Sequence, residues 1–323
     1  MLHTRICELL GIEYPIFNAP MSGAATAKLA AAVSNAGGFG LIGAGAGPPD
    51  WLRDQIRAAR ELTDRPFGVG FISSFPGLDQ LVQVALDERV AAVNHSFADP
   101  SAYVHAAHGS GVKVLAQVQK VAHAKKAALA GVDAIAAQGT EAGGHTGYSG
   151  TLPLVPAVID AASGIPVIAA GGIADGRGLA AVLMLGAEGA FIGSRFVASV
   201  ESAREDWEKQ LLIQAGTDDT VLTKVYDLTM RAAFPADIGD RVIRNDYTAE
   251  WHGRDVEVAG MADVLKLRVD AAAEAKDPSA APVRIGSAVG LFSTIEPAGV
   301  ILRRIVEDAE AILTSRPGAL LGG

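Results

Sequence analysis

Pro166-Val167-Ile168-Ala169-Ala170-Gly171-Gly172, followed at short remove by Ala190-Phe191-Ile192-Gly193-Ser194, is the stretch on which the fold turns. Each apolar run is short and unbroken, and each ends in glycine. Parallel strands covered by helices on both sides have no solvent face, so they read as continuous apolar runs rather than as alternation. Between the two runs, Gly178 to Leu185 carries helical spacing, which makes the unit strand, crossover helix, strand. The same unit recurs upstream. Ile16-Phe17, Phe39 to Ile42, Phe67 to Ile72, Val90 to Val93, Val112 to Val118 and Ala134 to Ala137 are six more runs of this type. Helical patterns fill the gaps at Trp51–Glu61, Leu78–Asp87, Pro100–His108, Val121–Ala130 and Leu152–Ala162. Regular alternation of this kind means parallel strands joined by right-handed crossovers. Eight such runs are the number that closes a (β/α)8 TIM barrel, with an open doubly wound sheet as the alternative.

Composition agrees. Of 323 residues, 50% are hydrophobic and 20% charged, enough to bury a large core without disulfides or metal. The lone cysteine, Cys7, excludes a disulfide framework and fits a reducing, cytoplasmic setting. A net charge of −9 without a basic stripe argues against nucleic acid, and the same acidity argues against an anionic membrane surface. The start of the chain lacks the apolar segment of a leader, and no window is apolar enough for a spanning helix.

After Ser199 the rhythm breaks. Residues 1–200 are expected to form the barrel and 201–283 a helical insertion, without a clear strand, over one mouth after the eighth strand. Residues 284–323 should return to complete the barrel with a last helix, Pro297–Leu313, and a frayed tail from Pro317. Trp207, Tyr226, Phe234, Tyr247 and Trp251 stand in the insertion as anchors, and such a surface could serve a homodimer.

Three glycine-rich segments are candidates for chemistry. Gly38 to Gly43 matches the dinucleotide pattern GxGxxG, but its glycines run through the strand instead of opening a helix, so it reads as a turn into a barrel strand. Ala170-Gly171-Gly172 and Gly193-Ser194 follow the seventh and eighth runs, where barrels commonly bind phosphate through loop amides and the positive end of a short helix. Gln138 to Gly147 follows the sixth run. There, Gly143 and Gly144 allow a backbone to lie flat against a planar group while His145 points over it, and imidazole suits proton abstraction. His95, at the end of the fourth run, either lines the same mouth or caps its strand. His105 and His108 lack a third partner at metal-ligand spacing, so no metal is expected. Cys7 is read as inert packing.

Taken together, these segments resemble the nitronate monooxygenases, formerly 2-nitropropane dioxygenases, a family of FMN-dependent barrels. Gly11 to Ile16 with Asn18 to Gly23 is similar to the family's opening strand, Gln138 to Gly147 to its histidine loop, and Ala169 to Gly178 with Gly193 to Phe196 to its phosphate signature. The resemblance is strong over residues 6–200 and weak beyond, where Arg244-Asn245 and Gly286 to Gly290 are suggestive. It implies FMN as cofactor. Ala19, Pro20 and Met21 would meet the flavin ring by backbone, Gln117 and Gln138 would bond the ring or ribityl chain, and Ala170, Gly171, Gly172, Gly193 and Ser194 would hold the phosphate. His145 would be the catalytic base or would orient the substrate, beside Gly144 and His95. The implied reaction is oxidation of an alkyl nitronate, or a nitroalkane, by O2 to a carbonyl compound and nitrite. Serine at 194 and asparagine at 18 depart mildly from the family's usual threonine and glutamine.

Flavin-type enoyl-ACP reductases and NAD(P)H:quinone reductases share this barrel and loop, and form the competing reading. They need cations for nicotinamide phosphates, and the insertion shows no basic cluster beyond Arg241, Arg244 and Arg254, which are interspersed with acids. A non-enzymatic flavin-binding scaffold or sensor is the third reading, and would have no need of the histidine loop.

Overall fold

The computed structural model describes residues 2–45 and 47–322. Among the described residues eleven strands form: β1 (Ile16–Asn18), β2 (Gly40–Gly45), β3 (Phe67–Ile72), β4 (Ala92–Ser96), β5 (Lys113–Val118), β6 (Ala134–Gln138), β7 (Gly144–Thr146), β8 (Val167–Ala170), β9 (Gly189–Ile192), β10 (Thr220–Thr223) and β11 (Gly239–Ile243). All eight apolar runs become strands of one parallel sheet, ordered β1-β9-β8-β6-β5-β4-β3-β2. A parallel bridge between Phe17 and Phe39, with the Phe39 N–H donating to the Ile16 carbonyl at 2.8 Å, brings the two edges together. The result is a (β/α)8 TIM barrel.

Strand alternation sorts the side chains. Ala92, Leu115, Ala134, Ala136 and Ile168 fill the interior with Phe17, Phe39 and Phe191, whose rings meet at 5.0–5.5 Å. Their neighbours along the chain, such as Val93, Val114, Ile135 and Val167, pack outward against the helices. The first helix, Arg5–Leu10, joins the interior cluster through Ile6, Cys7 and Leu10, so the buried thiol is packing. Gly40 shows why the GxGxxG letters occur here. A β-carbon at that position would overlap the carbonyl oxygen of Ala30, so glycine lets the helix Ala27–Asn35 lie on its strand.

The insertion differs from expectation. It carries helices but also β10 and β11, which pair antiparallel, and β11 pairs in turn with β7 from the histidine loop. These strands are four and five residues long. One partner lies far upstream, so local periodicity could not show them. The insertion has a core of its own around Tyr226, Tyr247, Trp251 and Leu265. A second cluster, with Ala24, Val197, Ile243 and Ile285, joins it to the barrel. The last helix, Ala298–Leu321, continues through Pro317, where a frayed tail was expected. The hydroxyls of Thr314 and Ser315 bond the carbonyls of Glu310 and Ala311, one turn back. Gly323, the end of the expected tail, lies outside the described residues. No helix of the described residues is long and apolar enough to cross a membrane.

Glu296 ties the return segment to the barrel. Its carboxylate takes Arg195, in the short helix after β9, at 2.5 Å and Arg304, in the last helix, at 2.8 and 2.9 Å. Arg304 foremost, then Thr294 and Arg195, hold the Glu296 carboxyl down at about 2, despite burial pushing the other way. A carboxyl lowered on folding contributes stability above its ordinary value of 4.5 and loses that contribution as pH falls through about 2. Glu296→Gln is therefore expected to cost roughly 1–2 kcal/mol at pH 7, a charge-assisted pair discounted for its contact with solvent. In denaturant melts, the gap between variant and wild type should narrow as pH is lowered from 4.5 towards 2.

Candidate active site

A cavity of about 580 Å³ opens at the carboxyl ends of the barrel strands, beneath the insertion. The fold brings together nearly all the residues expected there. Ala19, Pro20, Met21, Gln117, Gln138, Gly144, His145, Ala170, Gly171, Gly172, Gly193 and Ser194 all line it.

One side is backbone. Gly171 and Gly172 have φ of 101° and 74°, in the left-handed region. A β-carbon on Gly171 would stand 3.0 Å from the Gly139 carbonyl oxygen and 3.1 Å from the Ala142 nitrogen. Side chains are excluded from this cradle, leaving room for a ligand to approach the main chain. Ser194 Oγ accepts the Gly286 N–H at 2.9 Å, which fixes the β9 loop to the return segment. The following helix contributes less than expected. It begins at Gly176, and Asp175 caps it by accepting from the N–H groups of Arg177 and Gly178. Its positive end is already met by a carboxylate. An anion here would be left the loop amides.

The floor is an amide network. Gln138 Oε1 accepts from Gln117 at 3.1 Å and from Gln119 at 2.9 Å, while Gln138 Nε2 donates to the His145 carbonyl at 3.2 Å. The strand that carries His145 is thereby held against the barrel.

The opposite wall comes from the insertion. His145 sits on β7 directly across from Asp240 on β11. Its Nε2 is 2.8 Å from Asp227 Oδ1, and its ring stacks on Phe234 with centroids 3.4 Å apart. The carboxylate can only accept, so Nε2 carries the proton in this pair, an assignment made from the hydrogen-bond geometry. Nδ1 makes no hydrogen bond among the described residues. Asp240 is fully buried and takes a two-pronged contact from Arg284, Nε at 3.2 Å and Nη2 at 2.9 Å. His145, Asp227 and Asp240 gather one ligand atom each within 4.8 Å, a trio the sequence reading did not anticipate. The Arg284 guanidinium already supplies positive charge at Asp240.

His95 is a correction. Ala92 faces the barrel interior, so Asn94 and Ser96 do too, and His95 between them points outward. It is fully buried, bonded to Ser73 Oγ at 2.9 Å and stacked on Tyr103, and does not line the cavity. Burial pushes its pKa down to about 4, so the ring is neutral at pH 7. Phe234, read as an anchor, lies on His145 instead of in the insertion's core. Asp227, Asp240, Arg284 and Phe97 were not singled out in the sequence. Nothing local marks Asp227, whose partner is distant by 82 positions. His108 pairs with Asp133 on the outside of the barrel.

Comparison with known proteins places this geometry. The nitronate monooxygenase family model matches residues 3–77 and 71–308. A (3aS,4S,5R,7aS)-5-hydroxy-7a-methyl-1-oxo-octahydro-1H-indene-4-carboxyl-CoA dehydrogenase of Mycobacterium tuberculosis is 39% identical over 70% of this chain. That match covers 64% of the relative's length, a little under two thirds. A probable nitronate monooxygenase of Staphylococcus aureus is 33% identical over 76% of this chain and 85% of its own. Among solved structures, FabK from Thermotoga maritima superposes with a TM-score of 0.90 at 37% identity, covering 99% of this chain and 100% of that one. A nitroalkane oxidase of Streptomyces ansochromogenes gives 0.83 at 28%, covering 96% and 99%. The family model spans nearly the whole chain, and a relative at 33% identity is covered over most of its length, so the chain belongs to the nitronate monooxygenase family of oxidoreductases.

Proposed function

We propose that the protein is an FMN-dependent nitronate monooxygenase, oxidising alkyl nitronates with O2 to carbonyl compounds and nitrite. The observation that carries this reading is His145, fixed by Asp227 and facing a glycine-walled cavity. The residues present fit a flavin mononucleotide. The cradle at Gly171 and Gly172 excludes side chains where a phosphate could meet loop amides, and the Gln117 and Gln138 amides offer partners to a polar ring edge. Bound there, FMN would supply the electron transfer that amino-acid side chains cannot.

The chain's own part is proton handling and orientation. With Nε2–H held by Asp227, His145 Nδ1 is the basic atom and can take the α-proton of a neutral nitroalkane; protonated, it can donate to a nitro oxygen. The insertion contributes Tyr226, Met230, Ala232 and Phe234 to the cavity lining.

A second reading is favoured by the relatives and by charge. Arg204 and Arg284 both line the cavity, and a related protein is a dehydrogenase of a carboxyl-CoA compound. The same site could serve a nicotinamide-dependent reaction on an acyl thioester. The FMN-loaded protein, given an alkyl nitronate without nicotinamide, should take up O2 and release nitrite. Failure to do so, with NAD(P)H consumed on an acyl-CoA, would move the assignment to the second reading.

Two variants probe the histidine. His145→Ala should slow turnover of neutral nitroalkanes by about 10²–10⁴-fold and of preformed nitronates much less, since only the former need the proton removed. Equal losses would remove the base. Asp227→Asn offers Nε2 a donor and so favours the tautomer with Nδ1 protonated. It should lower nitroalkane turnover by at least about tenfold, with nitronate turnover changed less.

A further inference from the structure

Five described residues other than glycine have φ in the left-handed region. Four of them, Arg89, Ser163, Arg231 and Lys276, follow the ends of helices, where a left-handed residue closes the last turn. Phe97, at φ 68°, alone follows a barrel strand. A bulky residue there is costly, and such conformations persist where the surroundings impose them, often at a working site. The surroundings here are the cavity. Phe97 lines it, edge-on to Phe234 at 5.5 Å and to His145 at 6.3 Å, and Phe75 closes the group against Phe234 at 5.0 Å. Three separate chain segments, after β3, after β4 and in the insertion, thus build one aromatic wall beside His145. Asp227 meets the imidazole at Nε2, and Asp240, opposite His145 in the ladder, is paired with Arg284.

We propose that Phe97 is the specificity-determining residue of this site: its left-handed backbone drives the ring into the cavity, where it stops the alkyl chain of the substrate. A cofactor of FMN's size fills much of a cavity of about 580 Å³. The space left beside His145 is bounded by these rings, which offer a chain apolar contact and no hydrogen bond. The substrate class that follows is a planar anion with a short unbranched alkyl chain against the wall. This rests on the nitronate reading for the identity of the anion only.

The test uses unreactive analogues. Straight-chain carboxylates from propanoate to octanoate are planar two-oxygen anions like nitronates, and their binding to the FMN-loaded protein can be followed by perturbation of the flavin spectrum. In the wild type, affinity should rise with chain length and then fall sharply at one length. Phe97→Gly and Phe97→Ala should both move that break by at least two carbons towards longer chains. An unchanged break in both variants, or wild-type affinity independent of length, overturns the proposal. A shifted break without O2 uptake on nitronates would leave the wall in place and remove the nitronate reading instead. The two variants lose the same ring but differ in backbone cost, so Phe97→Gly should melt at a higher temperature than Phe97→Ala. Equal or reversed melting would show that the backbone is not held against its preference.

Discussion

The pairing of Gly144–Thr146 with Gly239–Arg241 joins two parts of the chain that the barrel alone would leave separate. Without it, His145 would be a polar residue on a loop, and Asp227 and Phe234 would have no fixed relation to it. With it, His145 faces Asp240, and the imidazole reaches Asp227 from one side and Phe234 from another. Side chains alternate across a strand, so a slip of one residue would turn His145 to the other face and bring Gly239 or Arg241 opposite it. The buried Asp240–Arg284 pair resists such a slip. Moving Asp240 would leave a carboxylate uncompensated in the interior, which costs about 3–5 kcal/mol. A short ladder and one ion pair therefore set the geometry of the histidine.

The barrel supplies rigidity and little chemistry. Its interior is closed by Phe17, Phe39 and Phe191, each worth roughly 1.5–3 kcal/mol of burial, and its upper end is lined largely by glycine, alanine and glutamine. Small residues let a cofactor approach the main chain, but none of them titrates. The groups that can move a proton come from the histidine loop and the insertion. The cavity is thus divided between a half built on strands, where the proposed cofactor would lie, and a half built on long-range contacts.

That division explains what could be read from the sequence. The barrel was legible because each strand announces itself within a few residues as an unbroken apolar run. The glycine segments and His145 were legible because their residue types are unusual at strand ends. His95 was misplaced although the signal was available. Ala92 and Val93 fix which face is inward, and counting on by twos puts Asn94 and Ser96 inside and His95 outside. Asp227 could not be found in this way. It lies on the six-residue helix Val225–Met230, between apolar neighbours, and acquires meaning only when β11 docks on β7. Strands of four and five residues with a remote partner leave no periodicity to read. Phe97 was hidden for a different reason. Backbone conformation, not residue type, sets it apart.

The same division bears on how relatives with different names can share this chain's architecture. A carboxyl-CoA dehydrogenase and a probable nitronate monooxygenase each align with most of this chain, at 39% and 33% identity. A cradle for a flavin can stay constant across such reactions, since the cofactor's demands do not change with the substrate. What would change is the wall that meets the substrate, and on the proposed reading that wall stands on Phe75 and Phe97, after β3 and β4, and on Phe234 of the insertion. Loops tolerate substitution and insertion more readily than the strands that carry them. A change of reaction therefore requires no change in the barrel's core, only a different set of side chains brought to the same mouth.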